Sequence, residues 1–161
     1  MTEQSYAVDV GHPPSALLKA VNPALGFLLG TPLGGSLRTQ FMVLNFSGRK
    51  SGKQFKLPVS AHVIDGDLYA LASAAWKFNF RGGGPAQVVY NGTTTAMRGE
   101  LVEDRAVTRD LYVRAAHSYD VKRAQRQMGL KFRDNRMPTP EEFGEAIERL
   151  KLSAIKFTPA G

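Results

Sequence analysis

The 161-residue sequence contains no cysteine. Disulfide bonds, thiolate metal ligands and thiol nucleophiles are therefore excluded, which fits a reducing compartment. The three histidines, His12, His62 and His117, lack the spacing of zinc ligands, so we expect no metal site. No apolar run reaches the roughly 18 residues that cross a bilayer, and the first residues lack the apolar segment of a secretory signal. We therefore expect a cytoplasmic protein.

Acidic residues are scarce in the first two thirds of the chain. Between residues 10 and 99, two acids, Asp65 and Asp67, accompany nine lysines and arginines. Four of these nine bases fall within residues 47–56, SGRKSGKQFK, a segment with two glycines and no acid that we call the basic loop. Glycines let backbone N–H groups converge into an anion-binding nest, and Arg and Lys donate charge-assisted hydrogen bonds to phosphate or carboxylate. The basic loop is thus either an anion site or a solvated hairpin loop.

Hydrophobic periodicity divides the chain into three parts. Residues 15–30 show helical spacing, residues 38–102 show the two-residue period of about five strands, and residues 106–151 return to helical spacing before a closing strand at 152–159. In the last helix Thr139 and Glu142 form a capping-box pattern. We predict an α+β, mainly β fold with a strongly curved sheet or small barrel in one domain over 15–161, preceded by a flexible N-terminus at 1–14.

The second predicted strand has a regular apolar face. It is formed by Phe55, Leu57, Val59, Ala61 and Val63. Proline at position 58 cannot donate to a sheet ladder, so this strand should lie at an edge or carry a bulge. Dipeptides typical of tight hairpins follow at 65–66 (Asp-Gly) and 91–92 (Asn-Gly).

Several motifs follow one another in the order found in a known family. They are SGRKSG at 47–52, PV at 58–59, DGDLY at 65–69 and WKFNFRGG at 76–83, with NPALGFLLGTPLG upstream at 22–34. In this combination the sequence resembles the deazaflavin (F420)-dependent nitroreductase family, whose members are flavin and deazaflavin oxidoreductases. The resemblance covers about residues 14–119 and the last strand.

The resemblance implies a split β-barrel of the FMN-binding type with N-terminal and C-terminal helices, assembled as a homodimer. It implies that coenzyme F420, or alternatively FMN, is bound with its anionic tail on the basic loop. The protein would then transfer a hydride to an electron-poor small molecule such as a quinone, nitroaromatic or enone. Tyr112 and Tyr119 are the candidate catalytic residues. The cofactor-binding residues implied are Arg49, Lys50, Ser51, Gly52, Lys53, Lys56, Pro58, Ser73, Ala74, Ala75, Trp76 and Asn79.

Other interpretations stay open. Only Ala74 and Ala75 separate the preceding strand from Trp76, fewer residues than in many family members, which favours a non-catalytic split barrel that binds F420, flavin, haem or fatty acid. The basic stretch 122–136 favours a nucleic-acid or membrane-surface module, although the leading interpretation includes no nucleic acid. Residues 15–30 could associate weakly with the inner face of a membrane. RGGGP at 81–85 is either a flexible turn or a second anion nest, and residues 120–151 could cover the pocket, extend a dimer interface or block the site.

Overall fold

The computed structural model describes residues 6–10 and 40–160. The predicted helices at 15–30, and with them the predicted membrane association, lie outside these ranges. The described strands are β1 (Val8–Val10), β2 (Phe41–Ser47), β3 (Gln54–Ser60), β4 (His62–Ile64), β5 (Asp67–Ala72), β6 (Gly84–Tyr90), β7 (Thr93–Val102), β8 (Leu130–Phe132) and β9 (Ser153–Pro159). The α-helices are α1 (Arg105–His117), α2 (Val121–Met128) and α3 (Pro140–Leu150), and 3₁₀ segments span Ala75–Phe80 and Arg133–Asn135.

Seven strands form one antiparallel sheet in the order β3-β2-β6-β7-β9-β5-β4. Its two end strands, β3 and β4, are separated in the chain by Ala61 alone. Because consecutive Cα atoms are about 3.8 Å apart, Ser60 and His62 lie within roughly 7 Å of each other. The sheet must therefore curl until its edges approach. This curled, mainly β architecture with a few helices is the split β-barrel that the resemblance implied, and it confirms the strongly curved sheet predicted from the sequence pattern.

The corner at Ala61 corrects the prediction of one continuous strand over residues 55–63. The Ala61 N–H donates to the Gln40 carbonyl, 2.9 Å away, and not to a ladder partner. Beyond this corner the buried face changes, so that His62 and Ile64 are buried while Val63 is 56% exposed. Val63 therefore does not lie on the same face as Phe55, Leu57 and Val59, although the two-residue period had predicted that it would. The edge predicted from proline 58 is confirmed, because β3 is an end strand of the sheet.

Both predicted hairpin turns are present. Asp65 and Gly66 connect β4 to β5, and Asn91 and Gly92 connect β6 to β7. All four residues have positive φ angles, between 51° and 83°. Two successive positive φ values match the twist of antiparallel strands, which is why Asn-Gly and Asp-Gly are favoured there.

Apolar side chains cover both faces of the central strands. In β9, Ala154 belongs to a core beneath the helices, whereas Ile155 and Phe157 belong to a core inside the barrel. In β5, Tyr69 lies under the helices and Leu68 lies inside the barrel. The two-residue period of strands places alternate side chains in the two cores, so the helices protect the sheet's outer face from water.

Residues 120–151 form much of the core beneath the helices. They include α2, β8 and α3, whose buried Phe132 and Phe143 rings meet edge to face with centroids 5.9 Å apart. β1 pairs antiparallel with β8, and Val8 is fully buried. Residues 8–10 thus form a paired strand within the segment 1–14 that we expected to be flexible. No described helix is long and apolar enough to cross a membrane.

Candidate functional site

Residues 48–53 of the basic loop form a compact turn between β2 and β3. The Gly48 N–H donates to the Lys53 carbonyl (2.7 Å), and the Gly52 N–H donates to the Gly48 carbonyl (2.9 Å). The Ser51 hydroxyl accepts from the Lys53 N–H at 3.1 Å. Gly52 has a φ of +70°, which glycine adopts without the steric penalty of a side chain. These bonds fix the turn that carries Arg49, Lys50 and Lys53, whereas the fourth base, Lys56, lies on β3.

Hydrogen bonds within the protein use most of the backbone N–H groups of this turn. The N–H groups of Gly48, Arg49, Gly52 and Lys53 all donate to groups of the protein itself. They are not available to an incoming anion. The turn can therefore offer an anion its side chains and the N–H groups of Lys50 and Ser51, which donate to no acceptor among the described residues.

Arg49 joins the basic loop to the 3₁₀ helix Ala75–Phe80 and the turn after it. Its backbone N–H donates to Asn79 Oδ1 at 2.9 Å, and its Nη2 donates to the Gly83 carbonyl at 3.0 Å. Asn79 Nδ2 in turn donates to the Trp76 carbonyl at 2.8 Å. Asn79 thus uses both ends of its amide to hold the loop against the helix. Arg49 is consequently a structural residue of the site as well as a cation in it.

A cleft of about 530 Å³ lies between the basic loop and the 3₁₀ helix. We call it the basic cleft. Its lining includes three cations and no acid, so its potential favours an anion. One of these cations, Arg81, donates to Glu103 at 3.0 Å, which leaves Arg49 and Lys50 as the cations without a carboxylate partner among the described residues. The lining residues are Gly48, Arg49, Lys50, Ser51, Phe55, Ala75, Phe78, Asn79 and Arg81.

The structure brings together five of the twelve cofactor-binding residues implied by the resemblance. Arg49, Lys50, Ser51, Ala75 and Asn79 line the basic cleft. The other seven do not line it: Gly52, Lys53, Lys56, Pro58, Ser73, Ala74 and Trp76.

Two of these seven have packing partners that explain their positions. The Lys53 amine lies 5.8 Å from the centre of the Phe55 ring. Trp76 packs against Phe46 and Phe80, with ring centroids 6.0 and 6.2 Å apart. Trp76 therefore supports the cleft from the barrel core and does not face into it.

The sequence prediction missed the aromatic side of the basic cleft. Phe78 is 46% exposed there, and Phe55 is stacked on Phe46 at 5.1 Å. Side chains three residues apart lie on the same side of a 3₁₀ helix. Ala75, Phe78 and Arg81 have this spacing and all line the cleft. A three-residue period is the signal that would have identified them.

Hydrogen bonds within the protein hold the RGGGP turn, and the Gly83 N–H among them donates to the Phe80 carbonyl at 3.0 Å. The carbonyl groups of the turn accept from arginines, Gly82 from Arg98 Nη2 at 2.9 Å and Gly83 from Arg49. A Cβ on Gly83 would lie 1.9 Å from Arg98 Nη2, and the φ of Gly83 is +91°. Because Gly83 has no Cβ, it leaves the space that the Arg98 guanidinium occupies.

The two candidate catalytic tyrosines lie among the helices and do not line the basic cleft. Tyr112 is 1% exposed, and its hydroxyl donates to the Ser153 carbonyl at 2.8 Å. Burial raises the pKa of Tyr112 far above its ordinary value. The Tyr119 hydroxyl lies 3.0 Å from His62 Nδ1, and burial also raises the pKa of Tyr119. The structure thus gives neither tyrosine contact with a ligand in the basic cleft.

The basic stretch 122–136 does not form one continuous helical face. α2 ends at Met128, followed by Gly129 with a φ of +67°. Arg133 and Arg136 lie near Glu142, at 3.8 and 3.9 Å. The chain therefore breaks the array of cations on which the nucleic-acid interpretation depends.

Comparison with known proteins assigns no family. No family model and no curated protein matches the sequence. A solved chain described as a domain-swapped dimer is 15% identical, with a TM-score of 0.47 over 91% of this chain and 100% of that one. A conserved hypothetical protein from Mycobacterium tuberculosis is 12% identical, with a TM-score of 0.45 over 100% of this chain and 87% of that one. A putative pyridoxamine 5'-phosphate oxidase from Listeria innocua is 12% identical, with a TM-score of 0.43 over 86% of this chain and 93% of that one. Likeness at this level carries no functional argument, so function must be argued from the cleft.

Proposed function

We propose that the basic cleft binds the anionic tail of coenzyme F420 and that the protein is an F420-dependent oxidoreductase acting as a homodimer. The observation that carries this proposal is the acid-free lining of a cleft of about 530 Å³, with Arg49 and Lys50 on one side and an exposed aromatic ring on the other. This combination suits a ligand that joins a phosphate or carboxylate group to a flat ring system.

The charges in the cleft set the scale of the expected affinity. Arg49 and Lys50 are exposed, so each ion pair with a ligand contributes about 0.2–1 kcal/mol in water. A charge-assisted hydrogen bond shielded by the ligand itself contributes about 1.5–3 kcal/mol. A tail with several negative charges engages Arg49 and Lys50 at once. FMN carries a single phosphate and therefore less negative charge to oppose them, which makes it the alternative cofactor and F420 the preferred one.

The residues of this chain bind and orient the ligand. When bound, the cofactor would supply hydride transfer to an electron-poor small molecule such as a quinone, nitroaromatic or enone. Arg49 and Lys50 would hold the tail, while Phe55 and Phe78 would offer apolar surface to the rest of the ligand. Asn79 would keep the loop in place. No residue of the lining is assigned as an acid or base.

The binding test compares two lysines of the same loop. Lys50 lines the basic cleft, whereas Lys56 is exposed on β3 and does not. We expect Lys50→Ala to weaken F420 binding about tenfold, which corresponds to about 1.4 kcal/mol. Lys56→Ala removes the same charge and should change the dissociation constant less than about twofold. Fluorescence titration of F420 measures both, and equal effects of the two substitutions would contradict the proposal.

A non-catalytic binding protein is the second candidate. It is favoured by the position of Tyr112 and Tyr119 outside the basic cleft. The two functions are separated by mixing the protein with reduced F420 and either menadione or a nitroaromatic. Oxidation of the reduced F420 at a rate that depends on protein concentration supports the reductase. Tight binding without oxidation of the coenzyme supports the binding protein.

A further inference from the structure

A buried lysine lies on the side of the 3₁₀ helix away from the basic cleft. Lys77 is 3% exposed, and its Nζ donates to the Lys151 carbonyl at 2.5 Å. The amine also lies 5.3 Å from the centre of the Phe78 ring. Among the described residues, no carboxylate forms an ion pair with it. A buried ammonium without an anion is costly, and burial, together with the charge of Lys151, lowers the pKa of Lys77.

Lys77 is one of the residues that line a second cavity of about 380 Å³, which we call the lysine cavity. The volume falls in the range of small-molecule sites, roughly 300–1,000 Å³. Leu101, Ile147 and Leu152 form an apolar part of its wall. The cavity therefore offers surface for the apolar body of a ligand next to a cationic end.

The charges around the lysine cavity are unbalanced. Glu103 pairs with Arg81, and Glu148 pairs with Arg105. These pairs are exposed and use the two acids of the lining. Lys77 and Lys151 have no ion-pair partner among the described residues, so the lining has two more cations than acids. A ligand with one negative charge would partly neutralise this excess.

We propose that the lysine cavity is a second binding site, for a small organic acid with an aromatic or branched aliphatic body, whose carboxylate pairs with the Lys77 amine. Phe78 and Arg81 border both cavities, whereas the other residues that line the lysine cavity do not line the basic cleft. It does not depend on the identity of the cofactor proposed for the basic cleft.

The first test uses the unaltered protein and two probes of similar shape. Isothermal titration calorimetry compares 2-naphthoate with its neutral amide, 2-naphthamide. We expect 2-naphthoate to bind at least tenfold more tightly, because only its carboxylate can pair with Lys77. Equal affinities, or no binding of 2-naphthoate at millimolar concentration, would overturn the proposal.

A second test assigns the probe to one of the two cavities. Lys77→Met removes the charge and shortens the unbranched side chain by one atom, and Lys50→Met does the same in the basic cleft. We expect Lys77→Met to weaken 2-naphthoate binding at least tenfold and Lys50→Met to leave it unchanged. The reverse pattern would place the probe in the basic cleft and overturn the proposal, without bearing on F420 binding.

A spectroscopic measurement keeps the proposal testable if Lys77→Met does not fold. Methyl resonances of Leu101, Ile147 and Leu152 in the unaltered protein should shift on addition of 2-naphthoate, because the aromatic ring lies against these side chains. Resonances of Phe55 in the basic cleft should not move. Shifts confined to Phe55 and its neighbours would refute the assignment.

Discussion

His62 should make the stability of this protein depend on pH. Its side chain is 1% exposed, and its Nδ1 lies 3.0 Å from the Tyr119 hydroxyl. Its Nε2 is buried without a hydrogen-bond partner among the described residues. Burial disfavours the charged imidazolium and lowers the pKa of His62 from the ordinary 6.5 to about 4. The folded protein therefore holds this histidine in its neutral form.

The size of the effect follows from the difference between the folded and unfolded chains. The unfolded chain binds a proton at His62 as pH falls through about 6.5, whereas the folded protein resists it until about 4. The stabilisation is thus present above pH 6.5 and is lost as pH falls from there to 4. Each pH unit corresponds to about 1.4 kcal/mol, which gives about 3 kcal/mol in total and about 2 kcal/mol between pH 7 and pH 5.

Urea unfolding followed by Trp76 fluorescence measures this quantity. The variant His62→Gln cannot titrate, so its free energy of unfolding should fall between pH 7 and pH 5 by about 2 kcal/mol less than that of the unaltered protein. His117 is exposed on α1, and His117→Gln should keep the original pH dependence. If His62→Gln and the unaltered protein lose the same free energy, the neutral buried histidine is refuted.

Three further substitutions test local features of the structure. Gly83→Ala should lower the melting temperature more than Gly82→Ala, since both glycines have positive φ but only a Cβ at 83 collides with Arg98; equal losses would contradict this contact. Thr139→Ala should reduce the free energy of unfolding in urea by about 1 kcal/mol through loss of the capping box, and no change would show that the cap contributes nothing. Asn79→Ala should accelerate amide hydrogen exchange in the basic loop because the loop loses its anchor, and unchanged exchange would refute that anchoring role.

Local sequence patterns predicted the elements that depend on local chemistry. The hairpin turns at 65–66 and 91–92 and the capping box at Thr139 follow from backbone preferences of a few neighbouring residues. The corner at Ala61 was missed because it depends on closure of the sheet, which brings together strands at opposite ends of the strand order. The pairing of β1 with β8 joins residues more than a hundred positions apart and leaves no short-range signal.

The candidate site was predictable to a similar degree. Charge density identified the basic loop, and two of its four bases, Arg49 and Lys50, line the basic cleft. The hydrogen bond from the Arg49 N–H to Asn79 Oδ1 could not be predicted, because it depends on how the loop packs against a segment 30 residues further along the chain. Phe78 was missed because its three-residue spacing from Ala75 and Arg81 indicates a shared side only once the segment is known to be a 3₁₀ helix.

The central claim is that the basic cleft holds an anionic cofactor tail. It is tested most directly by comparing the dissociation constants of F420 and of the same deazaflavin ring without its phosphate and glutamate tail. We expect F420 to bind at least about tenfold more tightly at low salt, with the difference shrinking as ionic strength rises. Equal binding of the two ligands at every salt concentration would contradict the claim.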